Sequence, residues 1–376
     1  DTGYARVLEP ELARVLLETR PDEHLRVIVC LREQGDPELM VTGAENPVGA
    51  RSRLVSALRT VAGRSQALLL AYLAGAQSAG LVENYTSFWI FNGVAVSARP
   101  SFIRTLALHP DVASIRLDHY RRWLPEPGQG SPVQAGMPDP ALASQIEWGV
   151  SRIRADQVWH MLNISGSHAV VASMDTGVDW LHPALHTSYR GYNPHGLHNH
   201  LYNWYDATTG GATYPVDGHG HGTHTMGIIV GQGGIGVAPG ARWIAVRVLN
   251  NEGYGYDSWI HQGFQWLLAP GGDPARAPDA VNCSWGNPNG GLESFRPDLR
   301  ALRAAGIFVA FAAGNNGPAY GTVNSPASMP EAFAVGASDQ DDEVAYFSSR
   351  GPSPWQEIRP HVVAPGVQMR SSTPGG

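Results

Sequence analysis

From Gln145 onward, short apolar runs alternate with helical patterns, and this alternation limits the possible folds more than any other feature. Ala169 to Met174 (AVVASM) is a continuous apolar run, as expected of a strand buried on both faces. Similar runs recur at Trp243 to Leu249, Ala280 to Cys283, Ile307 to Ala312, Ala332 to Val335 and His361 to Ala364. Helical patterns lie between them, at His221 to Val230, Ser258 to Leu268 and Pro297 to Ala305. Strands alternating with helices predict an α/β domain built on a parallel sheet.

Residues 1 to 124 follow a different plan. Leu25 to Leu31 (LRVIVCL) reads as a strand. Residues 49 to 79 carry Leu54, Leu58, Val61, Leu68, Leu69 and Tyr72 at helical spacing. Phe88 to Val96 (FWIFNGVAV) reads as strand, with a break at Asn92-Gly93 that suits a hairpin turn or a bulge. Pro100 to Leu108 is a short helix with proline near its start, and Val112 to Leu117 closes the unit as a strand. The order β-α-β-β-α-β is the split motif of a small α+β ferredoxin-like domain. Pro125 to Pro140 then holds five prolines and three glycines without apolar periodicity. That predicts an exposed linker over 125–144, before a second domain over 145–376.

Composition excludes several functions. The net charge is -7, which disfavours a nucleic-acid binder. The sequence contains no lysine, so neither a Ser-Lys dyad nor a Schiff-base lysine can operate. No apolar run reaches the length of about 18 residues that a membrane-spanning helix needs. Cys30 and Cys283 are the two cysteines, and they read sooner as buried thiols than as one long-range disulfide. The first residue is Asp1, compatible with a removed leader or with a start inside a longer chain.

Three segments carry candidate chemistry. In Met174-Asp175-Thr176-Gly177, Asp175 sits where an apolar strand ends, and sites in open α/β sheets form beyond such ends. In Asp217-Gly218-His219-Gly220-His221-Gly222-Thr223-His224, His221 opens a helix, and histidine moves protons near neutral pH. Gly222 is expected to leave room around the imidazole. His219, His221 and His224 also permit a metal reading, which the lack of HExxH or a nearby carboxylate ligand weakens. In Ala312-Ala313-Gly314-Asn315-Asn316-Gly317, an amide held at a strand end could stabilise an oxyanion. Singly, each segment reads as an ordinary turn or loop.

Together the three blocks resemble the subtilase family of serine proteases, and within it the bacillopeptidase F-like branch. The likeness spans essentially the whole chain and includes an N-terminal inhibitor-type propeptide. It implies that Asp175 orients and charge-stabilises the imidazole, that His221 is general base and then general acid, and that Asn315 donates to the oxyanion. It also implies that Tyr254 and Gly255, on an edge strand, and Ser284, Trp285 and Gly286 flank an extended peptide substrate. Trp285 is expected to shape a side-chain pocket there, with a core position as the rival reading. The propeptide tail is expected near His119 to Leu124, lying product-like in the cleft. The enzyme is expected to be secreted and to need no cofactor for its chemistry.

The sequence departs from the family in two places. Ala364-Pro365-Gly366-Val367 resembles the segment before the family's nucleophile, but no Gly-Thr-Ser follows in these residues. Ser371 and Ser372 match the strand before the nucleophile loop and are not substitutes. The serine, with the core helix that it opens, is therefore expected beyond Gly376, in the same protein or in a C-terminal fragment of it. This chain alone is expected to be inactive and unable to hold the fold unaided; losing the serine costs about a millionfold in turnover. The alternative is a noncatalytic pseudoprotease that serves as an interaction subunit. The second departure is Ala184, which stands after His182-Pro183 where many subtilases place a calcium-binding aspartate. That site is not carried over, although a structural calcium elsewhere stays open. His195, His198 and His200 read as a solvated loop sooner than as a metal site.

Overall fold

A computed structural model of the chain describes residues 7–125 and 145–375. The predicted linker, Pro125 aside, lies outside the described residues.

The N-terminal unit runs α1 (Pro10–Glu18), β1 (Leu25–Leu31), α2 (Pro37–Met40), α3 (Pro47–Ser65), α4 (Ala67–Ser78), β2 (Val82–Phe88), β3 (Gly93–Ala98), α5 (Pro100–Leu106), β4 (Val112–Leu117) and β5 (Tyr120–Arg122). Its antiparallel sheet has the order β2-β3-β1-β4. Because side chains alternate across a strand, the sheet feeds two cores. Val27, Val29 and Leu31 pack with Leu69, Leu73, Phe102, Ile103 and Leu106 of the unit's own helices. Ile28, Phe88, Phe91 and Ala95 instead join the core of the larger unit, with Phe264, Phe295 and Trp285. The two units therefore share a continuous apolar interior.

Two expectations need correction here. The helical run over 49–79 is two helices, and two residues read into its apolar stripe lie off it: Leu54, Leu58 and Leu69 are buried, whereas Leu68 is 74% exposed and Tyr72 40%. The break falls at Gln66, whose amide nitrogen turns inward to Phe88 O at 2.8 Å and Asn92 Oδ1 at 2.7 Å. The helix restarts after it in the same phase: Leu54, Leu58, Ala62, Gln66, Leu69, Leu73 and Ala76 are all buried and follow at steps of three and four. Likewise Phe88 to Val96 is not one strand. β2 ends at Phe88 and β3 begins at Gly93. β2 is a mostly exposed edge strand, so VENYTSF shows no apolar pattern to read.

The larger unit runs α6 (Trp148–Arg152), α7 (Ala155–Leu162), β6 (Val170–Asp175), β7 (Trp204–Asp206), α8 (His221–Val230), β8 (Arg242–Arg247), β9 (Tyr254–Tyr256), α9 (Asp257–Leu268), β10 (Ala280–Cys283), α10 (Arg296–Ala304), β11 (Phe308–Ala312), β12 (Phe333–Ser338) and β13 (Val362–Pro365). Seven strands form a parallel sheet in the order β13-β12-β11-β10-β6-β8-β7. After β6 the chain builds one flank, and it then returns to β10 on the other. The crevice beyond the carboxyl ends of β6 and β10 is thus a topological switch point, where such sheets lodge ligands. The last strand departs from the reading of strands buried on both faces. β13 lies at the sheet edge, and Val362 and Val363 are 48% and 44% exposed. Cys30 and Cys283 are free thiols. Among the described residues no helix is long and apolar enough to cross a membrane.

Candidate active site

Asp175 is the last residue of β6 and is fully buried. Its Oδ1 accepts from Thr176 N at 2.7 Å and from His221 Nδ1 at 2.8 Å, with Oδ2 3.0 Å from the same nitrogen. This bond fixes the neutral imidazole with its proton on Nδ1, leaving Nε2 free to accept one. The His221 side chain is 23% exposed, so the ring can reach a reacting group.

His221 is the first residue of α8, and the start of that helix is held from outside it. Residue Gly220 has no side chain with which to cap the helix. Asp217 does this work: Oδ1 accepts from Gly220 N at 2.9 Å and Oδ2 from Thr223 N at 2.9 Å. Thr223 Oγ1 also donates to Asp217 Oδ2 at 2.6 Å, and Thr176 Oγ1 to Asp217 Oδ1 at 2.9 Å. Thr176 Oγ1 in turn accepts from Gly222 N at 3.0 Å. The turn after β6 and the first turn of α8 are thereby laced together. Two glycines permit the approach. Gly177 has φ +115°, and a Cβ there would lie 1.8 Å from Val216 O. A Cβ on Gly222 would lie 2.0 Å from Gly177 O and 3.2 Å from the Cβ of Asp175. Gly222 thus makes room for the strand-to-helix contact rather than for the imidazole, which corrects the earlier reading.

Burial works against a charged His221, but the Asp175 charge and hydrogen bond and the Asp217 charge outweigh it, and the pKa ends up raised. Burial first, and then His221, lower the pKa values of His219 and His224. Among the described residues no group of three or more His, Cys, Asp or Glu side chains is placed to hold a metal ion. His195, His198 and His200 lie on a mostly exposed loop, as read from the sequence, with His195 exposed and His198 and His200 half-buried. The latter two pack edge-on against Trp180, at 4.8 and 5.3 Å between ring centroids.

The cleft beside this pair is filled by the chain's own N-terminal unit. β5 pairs antiparallel with β9, Arg121 opposite Gly255 and Arg122 opposite Tyr254. Trp123 continues the pairing on both sides: its N–H donates to Gly253 O, and its carbonyl accepts from Gly286 N, each at 3.0 Å. The Trp123 indole is buried, donates to Gly255 O at 3.2 Å, and meets the Trp285 ring edge-on at 5.4 Å. Of the predicted flanking residues, Tyr254, Gly255, Trp285 and Gly286 therefore meet at the tail. Trp285 is also a core residue, 2% exposed and donating to Met174 O at 2.7 Å. The Ser284 hydroxyl is instead engaged with the Asn282 side chain. Asn315 lies in the exposed loop after β11. Ser371 and Ser372 donate to the α8 carbonyls of His224 and Thr223 at 2.7 and 2.8 Å, which packs them against that helix.

Sequence reasoning gave no role to Asp217 or Thr176, and it placed Trp123 in the propeptide tail without a role for its side chain. Asp217 had a readable signal, an acidic residue just ahead of a helix start. The Trp123 indole had none, because only the docked partner explains its contacts.

A parallel α/β domain with a carboxylate–imidazole pair at its switch point, and its own N-terminal unit strung through the adjoining cleft, defines the class: a hydrolase-like fold carrying a propeptide. The subtilase family pattern matches residues 166–375, and the peptidase inhibitor I9 pattern matches 26–123. The chain belongs to the subtilase family. It is 39% identical over 355 residues to bacillopeptidase F of Bacillus subtilis (strain 168), covering 89% of this chain and 24% of that protein. It is 30% identical over 302 residues to subtilisin E of the same organism, covering 77% and 65%. It is 33% identical over 247 residues to the subtilisin of Bacillus pumilus, covering 62% and 77%. The chain thus spans about a quarter of bacillopeptidase F and just under two thirds of subtilisin E.

Proposed function

We propose that this chain carries the base and the substrate cleft of a secreted serine endopeptidase in zymogen-like form, with residues 1–124 as propeptide and 145–376 as part of the catalytic domain. The observation that carries the reading is the Asp175–His221 pair, hydrogen-bonded at 2.8 Å beside a cleft that already holds an extended peptide. A substrate would add where β5 lies, as a strand between β9 and Gly286. The nucleophilic serine would come from sequence following Gly376. Its hydroxyl proton passes to His221 Nε2 as its oxygen attacks the scissile carbonyl. Asp175 holds the imidazolium, and the Asn315 amide donates to the oxyanion. His221 then returns the proton to the leaving amine, and water releases the acyl group by the same route. Apart from that water, each step draws on groups of the protein. Ala184 offers no carboxylate after His182-Pro183, so the calcium site of many subtilases at that position is not part of the proposal.

The test is peptide hydrolysis by the complete protein and by its His221→Ala variant. The reading expects a fall in kcat of about a millionfold. A variant retaining a tenth of the activity would overturn it.

A further inference from the structure

The α9–α10 face holds a second buried histidine pair, outside the site above. His261 on α9 is 1% exposed, and its Nδ1 lies 3.0 and 2.9 Å from the carboxylate of Asp298 on α10. Its Nε2 lies 2.9 Å from Nη2 of Arg116, a residue of β4 in the propeptide. A guanidinium offers donors only, so Nε2 must be the acceptor. The docked imidazole is therefore neutral, with its proton on Nδ1. Arg116 Nη1 also donates to Asp257 Oδ2 at 3.0 Å, and Arg121 Nη2 reaches the same oxygen at 3.3 Å. Asp257 Oδ1 is buried with no partner.

We propose that Asp257, His261 and Asp298 form a socket that reads a propeptide guanidinium, and that protonating His261 ejects Arg116 and loosens the tail from the cleft. The inference rests on reading the N-terminal unit as a propeptide, but not on hydrolysis. The socket is coupled to the tail by a short connection. Asp118 accepts from Ser258 N at 2.8 Å, and His119 O accepts from Asp257 N at 3.0 Å. β5 begins at the next residue.

Among the described residues, the charged and titratable groups around His261 are few. They are Asp298 from α10, Arg116 from β4, Asp257 on its own helix with Arg121 of β5 behind it, and Cys30 of β1 beyond Arg116. Burial pushes the Cys30 thiol up, and the Arg116 charge opposes that rise. Phe91, Phe295 and Phe88 enclose the ring at 4.3, 5.0 and 5.7 Å. A proton on Nε2 would set N–H against N–H and cation against cation in a nearly dry site. Once Arg116 has left, the same proton is paired by Asp298. Docking and protonation therefore compete, and acid favours release.

Hydrogen exchange on the full chain tests this at the β5 and β9 amides, corrected for intrinsic exchange, between about pH 8 and about pH 5. Protection in the unaltered chain is expected to fall by about tenfold or more on acidification. His261→Gln keeps an acceptor at every pH, so its protection stays flat. A flat response in the unaltered chain, or an equal fall in His261→Gln, overturns the proposal. If His261→Gln does not fold, Arg116→Gln serves: weak protection at both pH values supports the socket, and an unchanged acid response overturns it. Exchange needs no turnover, so failure here leaves the hydrolytic reading standing, and the reverse also holds.

Discussion

Among the described residues, two buried-carboxylate histidine pairs have nearly the same geometry, and they differ in what the far nitrogen faces. In both, Nδ1 lies 2.8–3.0 Å from two carboxylate oxygens of an aspartate with no exposed side chain. His221 is 23% exposed, beside the cleft. His261 is 1% exposed, with Arg116 against it. A hydrogen-bonded His–Asp pair is therefore not in itself a catalytic feature. Access at Nε2 decides whether the pair can move a substrate's proton or only hold a partner. The surroundings differ too. Burial, partly offset by the His261 charge and hydrogen bond, leaves the Asp298 pKa raised. At the other pair it is the histidine that ends up raised.

The largest effect that would sharpen this contrast is at Asp175. In the complete protein, Asp175→Asn keeps the shape but spoils the tautomer, and kcat should fall by about 10⁴-fold. Steady-state hydrolysis of a peptide substrate checks it, and a loss under tenfold would put the two pairs on an equal footing. Next is Asn315→Ala, expected to lower kcat by about 10²–10³-fold with little change in KM. A change confined to KM would remove Asn315 from the oxyanion role.

The smallest effect concerns pH. Since the Asp217 charge helps to raise the His221 pKa, Asp217→Asn should lower it. Because the base must be neutral, the acid limb of kcat/KM should move to lower pH in that variant. The stability sign is opposite. A raised folded pKa contributes stability below the unfolded value, and this is lost as pH rises through the folded one. The variant should thus lose part of that low-pH gain, read from denaturant midpoints against pH. A limb that stays in place would confine Asp217 to capping.

The parallel sheet was legible because buried strands leave unbroken apolar runs: Ala280 to Cys283 matches β10 end for end. Asp175 and His221 were legible because each sits at a strand or helix terminus. β7, with three residues, is too short to leave a pattern, and β2 is too polar. Gln66 hid the helix break because the buried stripe runs through it unbroken, and its inward bonds come from a side chain that local spacing does not report. The contacts of the Trp123 indole, Asp257, His261 and Asp298 were illegible for a related reason, although the tail that carries Trp123 was read into the cleft. Their roles depend on segments more than 100 residues apart meeting across the interface, which no local pattern encodes.

The most direct test of the central claim, that His221 is the base of a serine hydrolase, is to label the complete native protein with a fluorophosphonate and map the labelled residue. The account predicts one labelled serine, on sequence following Gly376, with labelling lost in His221→Ala. Absence of label, or label on Ser371 or Ser372 instead, would contradict it.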